Sequence, residues 1–260
     1  MTARLARTTS SVAAVLLTAA CSSYYEIPIE TPIRPKLDVS AFQRVLVAGF
    51  ISGGTEDVDG NLETTRLLRS QLRTKSEMRV IDADVLPLME VASEGRDLEV
   101  RPVENNDPNA APGVPGAIKE DKDLEPYEHV FADVEYWKRI GEEYQQPLIV
   151  TGTVMFAPQA RSGIVQRDQE VYDSFGRRRV IPTRTYMERK GFVLKPRFIF
   201  IDGRTGTVLH SENFREEILY NANQTTPALS SYFELMDRLI PSFLSTLSSQ
   251  KIKGTRILLQ

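Results

Sequence analysis

Residues 44–50 read Arg-Val-Leu-Val-Ala-Gly-Phe, a continuous run of mostly apolar and β-branched side chains. A run of this length and composition predicts a buried β-strand. A loop rich in glycine and acidic residues follows it, and apolar residues at helical spacing then predict a helix over 61–74, capped by Asn61. Residues 79–82 predict a second strand and residues 83–92 a second helix. The folded part of the chain therefore opens as strand–helix–strand–helix.

The second half of the chain is richer in strands. Residues 147–156 predict a strand, and residues 163–190 predict a polar β-hairpin that turns near 173–176. Residues 192–194 and 197–201 predict strands, and Asp-Gly-Arg-Thr-Gly at 202–206 predicts a tight turn, because Asp and Gly accept the unusual backbone angles of turns. Helical segments are predicted at 131–144 and, as one long apolar stripe from Leu229 to Leu247, at the end of the chain.

These elements predict an α+β fold, with a small mixed β-sheet packed by helices, a polar β-hairpin insertion and a C-terminal amphipathic helix. Thr226 and Pro227 suit the start of that helix, and Pro241 should kink it or divide it in two. We expect one domain over residues 41–260. Residues 101–126 contain five prolines among Asn, Gly and acidic residues, which predicts an exposed, flexible insertion within that domain.

The first 21 residues predict secretion and lipidation. Arg4 and Arg7 precede a short apolar run at 12–17, and small residues lead to Cys21, which predicts a signal peptide over residues 1–20. This arrangement resembles the lipobox of bacterial lipoproteins, in which the cysteine is acylated, for example with palmitate, and becomes the mature N-terminus. Cys21 is the only cysteine in the chain, so lipidation also accounts for a residue that cannot form an internal disulfide.

The lipobox resemblance implies an anchored protein that faces the periplasm. Residues 21–40 then form the acylated cysteine and a proline-rich tether, in which Pro28, Pro32 and Pro35 should prevent regular structure. Ser22, rather than Asp, follows the cysteine, which by resemblance to enterobacterial sorting rules favours the outer membrane over the inner membrane. An ordinary secreted protein with a chance cysteine is the alternative.

Charge and composition exclude several classes of function. Without residues 1–20 the chain carries 30 Lys and Arg against 35 Asp and Glu, a net charge of −5 that does not favour nucleic acid as a partner. The loop after the first strand has Thr55 where a phosphate-binding loop needs Lys, and its acidic residues would repel a nucleotide. Its spacing does not fit a calcium loop either. We therefore expect no nucleotide, metal or other cofactor.

Catalytic residues are not recognisable in this sequence. His129 and His210 are the only histidines, and two histidines cannot form a multi-histidine metal site. No arrangement of Ser, His and Asp or of Cys and His suggests a nucleophile. We expect a protein that is not an enzyme, and a hydrolase with an unrecognised site remains the second alternative.

Arginines concentrate in the predicted hairpin and the strand that follows it. A solvated sheet face is one explanation, and a docking surface for an acidic protein or an anionic envelope polymer is the other. The residues we expect to bind a partner lie at and near the hairpin tip: Arg177, Arg178, Arg179 and Arg184.

The order of the elements, with strands at 44–50 and 148–156, the segment 199–209 and a terminal helix, resembles a group of envelope lipoprotein domains. This group includes the curli-secretion channels, the lipoprotein activators of penicillin-binding proteins and the N-terminal domain of the Tol-system periplasmic protein. The resemblance implies a small mixed sheet packed by helices on one side. Curli-type channels insert amphipathic strands into the membrane, but the charged hairpin 163–190 does not suit lipid, so we do not expect a pore.

The sequence therefore predicts a non-enzymatic, lipid-anchored outer-membrane protein that binds an envelope protein as an assembly adaptor. The first alternative is a binding module for an anionic envelope polymer, either peptidoglycan or lipopolysaccharide.

Overall fold

The computed structural model of the chain describes residues 24–94, 118–172, 174–221, 223–224 and 226–259. The fold is α+β, as predicted. In chain order the elements are β1 (Tyr24–Ile33), β2 (Arg44–Gly54), α1 (Gly60–Lys75), β3 (Arg79–Val80), α2 (Leu88–Glu94), a 3-10 helix (Asp121–Ala132), α3 (Val134–Glu143), β4 (Leu148–Tyr172), β5 (Arg178–Asp202), β6 (Val208–Asn213), β7 (Glu216–Asn221), α4 (Ala228–Leu247) and β8 (Gln250–Leu259).

The described residues divide into two units, one of 24–35 with 248–259 and one of 36–247. The predicted signal peptide (1–20) and Cys21 lie outside the described residues, as do residues 101–117 of the predicted insertion.

The smaller unit is a two-stranded antiparallel ribbon of β1 and β8, in register from Tyr24 opposite Leu259 to Ile33 opposite Gln250. The expectation that residues 21–40 lack regular structure is therefore wrong for 24–33. Pro28 and Pro32 lie four positions apart, an even difference, so their backbone nitrogens lie on the same edge of β1. A proline is tolerated in a strand where its nitrogen needs no partner, and the open edge of a ribbon provides such positions.

The larger unit contains a sheet in the order β3-β2-β4-β5-β6, and β7 pairs with an earlier part of β5 than β6 does. β2 runs parallel to both β3 and β4, whereas the pairings of β5 are antiparallel. The helix α1 connects β2 to its parallel neighbour β3. The next connection contains α2, the 3-10 helix and α3, and it leads to β4 on the other side of β2.

Helices cover both faces of this sheet, whereas the family resemblance implies one. Val45 and Val47 of β2 pack in a core that includes Leu68 of α1 and Tyr232 of α4. Leu46 and Ala48 of β2 instead pack in a second core, on the other face of the sheet, which includes Trp137 of α3. Both faces are covered because residues 45–51 of β2 have no charged or polar side chain, so the side chains on each side of the strand must be buried.

The residues at the end of the predicted flexible insertion are part of the second core. Ile118 and Leu124 are 7% and 5% exposed, and both contribute to that core. The 3-10 helix begins at Asp121, where the sequence predicts irregular chain, because the apolar side chains of this segment cover the second face of the sheet. The prediction of an exposed insertion is therefore wrong for residues 118–126.

Asn61 has a different role from the predicted one. Asp59 caps α1, because its side chain accepts a hydrogen bond from the backbone of Leu62 at 3.0 Å. Asn61 Oδ1 instead accepts from the backbone N–H of Phe50 at 2.7 Å, next to a bulge in β2 at Gly49. Gly49 has a φ of +138°, which only glycine adopts without strain. Asn61 therefore stabilises the bend of β2 rather than the helix end.

The C-terminal helix α4 is one uninterrupted helix with Pro241 inside it, so of the two outcomes predicted for Pro241, a kink or a division, the division is wrong. Most of its predicted apolar stripe is buried, but Leu229 and Phe233 are 43% and 38% exposed. Within the described part of the chain, none of the helices has the length and apolar content needed to cross a membrane.

Candidate functional site: a two-stranded arm

The predicted hairpin is confirmed, and it is longer than expected. β4 and β5 are paired over their whole length, from Leu148 opposite Asp202 to Tyr172 opposite Arg178. β2 pairs with β4 only up to Phe156, and β7 pairs with β5 only from Arg189 onwards. Residues 162–172 and 178–188 therefore pair only with each other among the described strands. We call these two segments and the turn between them the arm, which is about 35 Å long at the usual rise per residue.

The arm has two faces, because successive side chains of a strand point to opposite sides. One face, which we call the tyrosine face, carries Tyr172 opposite Arg178 and Ile164 opposite Tyr186. Tyr172, Ile164 and Tyr186 are 66%, 72% and 67% exposed. Arg184 lies on the same face opposite Gln166. Tyrosine and arginine are the residues that most often dominate binding energy at protein interfaces.

The opposite face of the arm is less apolar at its surface. Its exposed large apolar side chains are Val165, Val171 and Ile181, which are 36%, 39% and 48% exposed. Arg179 lies on this face opposite Val171. Neither face of a strand pair this exposed contributes to the hydrophobic core, so the arm is an extension of the folded body.

The predicted arginine cluster is divided between three places. Arg178 and Arg184 share the tyrosine face, about 20 Å apart along the strand. Arg179 lies on the opposite face. Arg177 lies in the turn, with its guanidinium carbon 5.4 Å from the centre of the ring of Phe175, which is 81% exposed. Arg178 and Arg184 therefore share one face with two tyrosines, each arginine beside a different tyrosine, whereas the three consecutive arginines do not share a face.

Acidic side chains neutralise part of the positive charge both near the tip of the arm and at its base. Arg178 forms an ion pair with Glu170 on the tyrosine face. Nearer the body, the ion pairs are Arg161 with Glu217, Lys190 with Glu188, Lys195 with Asp121, and Arg197 with Glu128. Residues 157–190 still contain eight Lys and Arg against four Asp and Glu, in a chain whose net charge is −3. Most of this excess comes from Arg161, Arg189 and Lys190 at the base, because residues 162–188 themselves contain five Lys and Arg against four Asp and Glu. The positive charge is therefore concentrated where the arm joins the body.

A cavity of about 490 Å³ lies where β2 ends beside Phe156 of β4, lined in part by Gly54, Asp59, Met89 and Phe156. Two backbone N–H groups of its loop are already used: Gly54 donates to Ile118 O at 2.8 Å and Thr55 donates to Phe156 O at 2.8 Å. Those groups are not available to hold a phosphate.

The two histidines are held in separate parts of the body. His129 Nδ1 lies 2.9 Å from the carbonyl oxygen of Pro126, and His210 Nε2 lies 3.5 Å from a carboxylate oxygen of Glu212. Burial alone would raise the pKa of Glu212, but hydrogen bonds from Lys36 and Thr246 outweigh burial and lower it. Among the residues that the structure describes, no group of three or more His, Cys, Asp and Glu is placed to hold a metal ion.

Comparison with known proteins leaves the family of this chain open. The chain matches no protein-family profile, and no curated protein is significantly similar to it in sequence. Two solved structures are similar in part. One is the lipoprotein GNA1162 from Neisseria meningitidis, with 10% identity and a TM-score of 0.35, covering 77% of this chain and 97% of that one. The other is a neuraminyllactose-binding hemagglutinin homolog from Helicobacter pylori, with 12% identity and a TM-score of 0.31, covering 84% of this chain and 88% of that one. Similarity at this level carries no functional argument.

Proposed function

We propose that this chain is a non-enzymatic, lipid-anchored envelope protein, and that the tyrosine face of its arm binds a protein partner in the periplasm. The observation that carries the proposal is the exposed arm, with Ile164, Tyr172, Tyr186 and Arg184 on one face. The lipobox-like segment ending at Cys21 supports the anchor, and Ser22 after the cysteine favours the outer membrane.

The physical argument for a partner is that the arm exposes large apolar side chains to water and has only one pair of strands to hold it. An isolated two-stranded ribbon is marginally stable in water, because one pair of strands cannot bury enough apolar surface. Binding a partner against the tyrosine face would bury three large side chains that water now contacts. It would also give Arg184 an acidic or carbonyl partner, which fits a partner surface of complementary charge.

A pull-down from cells tests this proposal. The acylated wild type is compared with Cys21→Ala, which removes the anchor, and with Ile164→Ser/Tyr186→Ser, which changes the tyrosine face. The matched control is Val165→Ser/Ile181→Ser, which removes two apolar side chains from the opposite face. We expect Cys21→Ala to leave the membrane fraction, and the tyrosine-face variant to stay in it but lose one discrete partner. Equal recovery of that partner by both arm variants would reject the tyrosine face as the binding surface.

A second candidate is a binding module for an anionic envelope polymer, which the net positive charge of residues 157–190 favours. Replacing Arg177, Arg178, Arg179 and Arg184 with Ser should abolish co-sedimentation with peptidoglycan or binding to lipopolysaccharide, and raised salt should have the same effect. Unchanged retention of the variant would reject this candidate.

A further inference from the structure

The ribbon of β1 and β8 has one face with an apolar stripe. Ile27, Ile29 and Ile33 differ in position by two and by four along β1, and they therefore point to the same side of the ribbon. They are 43%, 40% and 45% exposed, although isoleucine is among the residues most often buried. The register places Arg256 opposite Ile27 and Gly254 opposite Ile29. Because glycine has no side chain, it leaves the stripe uncovered at its centre.

The other face of the ribbon carries most of its charged residues. Glu26, Pro28 and Glu30 of β1 point to this side, with Thr255 opposite Pro28 and Lys253 opposite Glu30. Lys253 Nζ lies 3.8 Å from a carboxylate oxygen of Glu30. Ile257, opposite Glu26, also lies on this side and is 59% exposed. The ribbon is thus amphipathic, with an apolar face and a face suited to water.

The position of the ribbon in the chain indicates what covers the apolar face. Tyr24, the first residue of β1, follows Cys21 by three residues, a reach of at most about 11 Å. An acylated Cys21 would therefore hold the start of β1 at the lipid headgroups. The charge also fits, because residues 21–35 and 248–260 carry four Lys and Arg against two Glu, whereas the remaining residues, 36–247, are acidic overall.

We propose that the isoleucine face of this ribbon lies on the membrane surface beside the acyl anchor, so that both strands of the ribbon are held at the lipid. This inference rests on the proposed acylation of Cys21. An amphipathic element binds an interface by placing its apolar side chains among the headgroups and acyl chains while its polar face stays in water. Anionic headgroups would add attraction for the basic residues of β8.

Site-specific quenching in vesicles tests the ribbon proposal. Acylation consumes the thiol of Cys21, the only cysteine, so a single introduced cysteine can be labelled with a fluorophore. The probes are Ile29→Cys on the isoleucine face and Ile257→Cys on the other face, a matched substitution, with Ile27→Cys and Ile33→Cys as repeats. The acylated full chain is incorporated into vesicles of phosphatidylethanolamine and phosphatidylglycerol.

We expect lipid-attached nitroxide to quench the label at 29 several-fold more than the label at 257, and aqueous iodide to show the reverse order. Equal iodide quenching at the two positions in acylated protein would overturn the ribbon proposal while leaving the anchor intact. Protection of position 29 from iodide in unacylated Cys21→Ala protein, in buffer without detergent or vesicles, would also overturn it, since protein rather than lipid would then cover the face. Mass spectrometry that found no acyl groups would remove the anchor itself, which is the failure of the proposed function.

Discussion

Tyr186 lies directly opposite Ile164 in the arm, and the two side chains are 67% and 72% exposed. Directly opposed side chains in an antiparallel pair contact each other, so the pair forms a small apolar patch in the middle of the tyrosine face. Arg184 lies two residues from Tyr186 on the same strand and face. A tyrosine, an aliphatic side chain and an arginine at one exposed point form the kind of anchor that protein interfaces use.

This patch should matter for binding and not for folding. We expect Tyr186→Ser to change the free energy of unfolding of the body by no more than about 0.5 kcal/mol, because the side chain contributes nothing to either core. Urea denaturation followed by the fluorescence of the buried Trp137 measures it. A decrease of several kcal/mol in the free energy of unfolding would instead show that the Tyr186 side chain stabilises the body.

Gly141 of α3 should not tolerate any side chain. A Cβ atom there would lie 1.7 Å from the backbone oxygen of Gly203, so α3 or the 202–206 turn must move. We expect Gly141→Ala to destabilise the protein by roughly 1–3 kcal/mol, the usual cost of overpacking. Gly163→Ala is the control, because a Cβ atom added to Gly163 in the arm would meet no other atom within 4 Å. Similar unfolding midpoints for the two variants would contradict this packing.

The buried hydroxyl of Tyr232 joins α4 to α1. It donates to the backbone oxygen of Gly60 at 3.2 Å and contacts the hydroxyl of Thr64, and burial raises its pKa. We expect Tyr232→Phe to cost about 1 kcal/mol, the usual net value of one hydrogen bond, while the ring keeps its packing. Thermal unfolding measures this loss, and Tyr172→Phe on the exposed arm should leave the midpoint unchanged. No loss from Tyr232→Phe would mean that the hydroxyl contributes nothing.

Glu212 should make the protein less stable in acid. Hydrogen bonds lower its pKa in the folded state, so the stability it provides is present above its unfolded pKa of about 4.3 and is lost as the pH falls through the lower folded value. We expect Glu212→Gln to remove about 1 kcal/mol at neutral pH and progressively less below pH 4.3. Unfolding in urea across this range measures it. A constant difference between the two proteins at all pH values would contradict the assignment.

The elements that the sequence predicts well are those with a strong local pattern. The strand at 44–50, the tight turn at 202–206 and the terminal helix are all present, because burial and turn chemistry leave a clear periodicity or composition. The turn of the hairpin also lies where the sequence predicts it, and Gly176 there has a φ of +74°.

The elements that the sequence does not predict depend on distant residues. β1 pairs with β8, whose residues lie more than 200 positions away, and its prolines indicate irregular chain when read alone. The division of the arginines between two faces of the arm depends on the register of β4 and β5. That register is fixed by the turn, and a shift of one residue would exchange the faces. In the sequence alone, the tyrosine face could be found only by placing the turn at Gly176 and then taking every second residue of the two strands.

Photo-crosslinking in cells tests the central claim most directly. A photoreactive residue is placed at Tyr186 on the tyrosine face or at Ile181 on the opposite face of the acylated protein, and the adducts are compared. We predict a discrete adduct with one envelope protein from position 186, weakened by Arg184→Ser, and little or none from position 181. No protein adduct from position 186, or the same adduct in equal yield from both positions, would contradict the proposal that this face binds a partner.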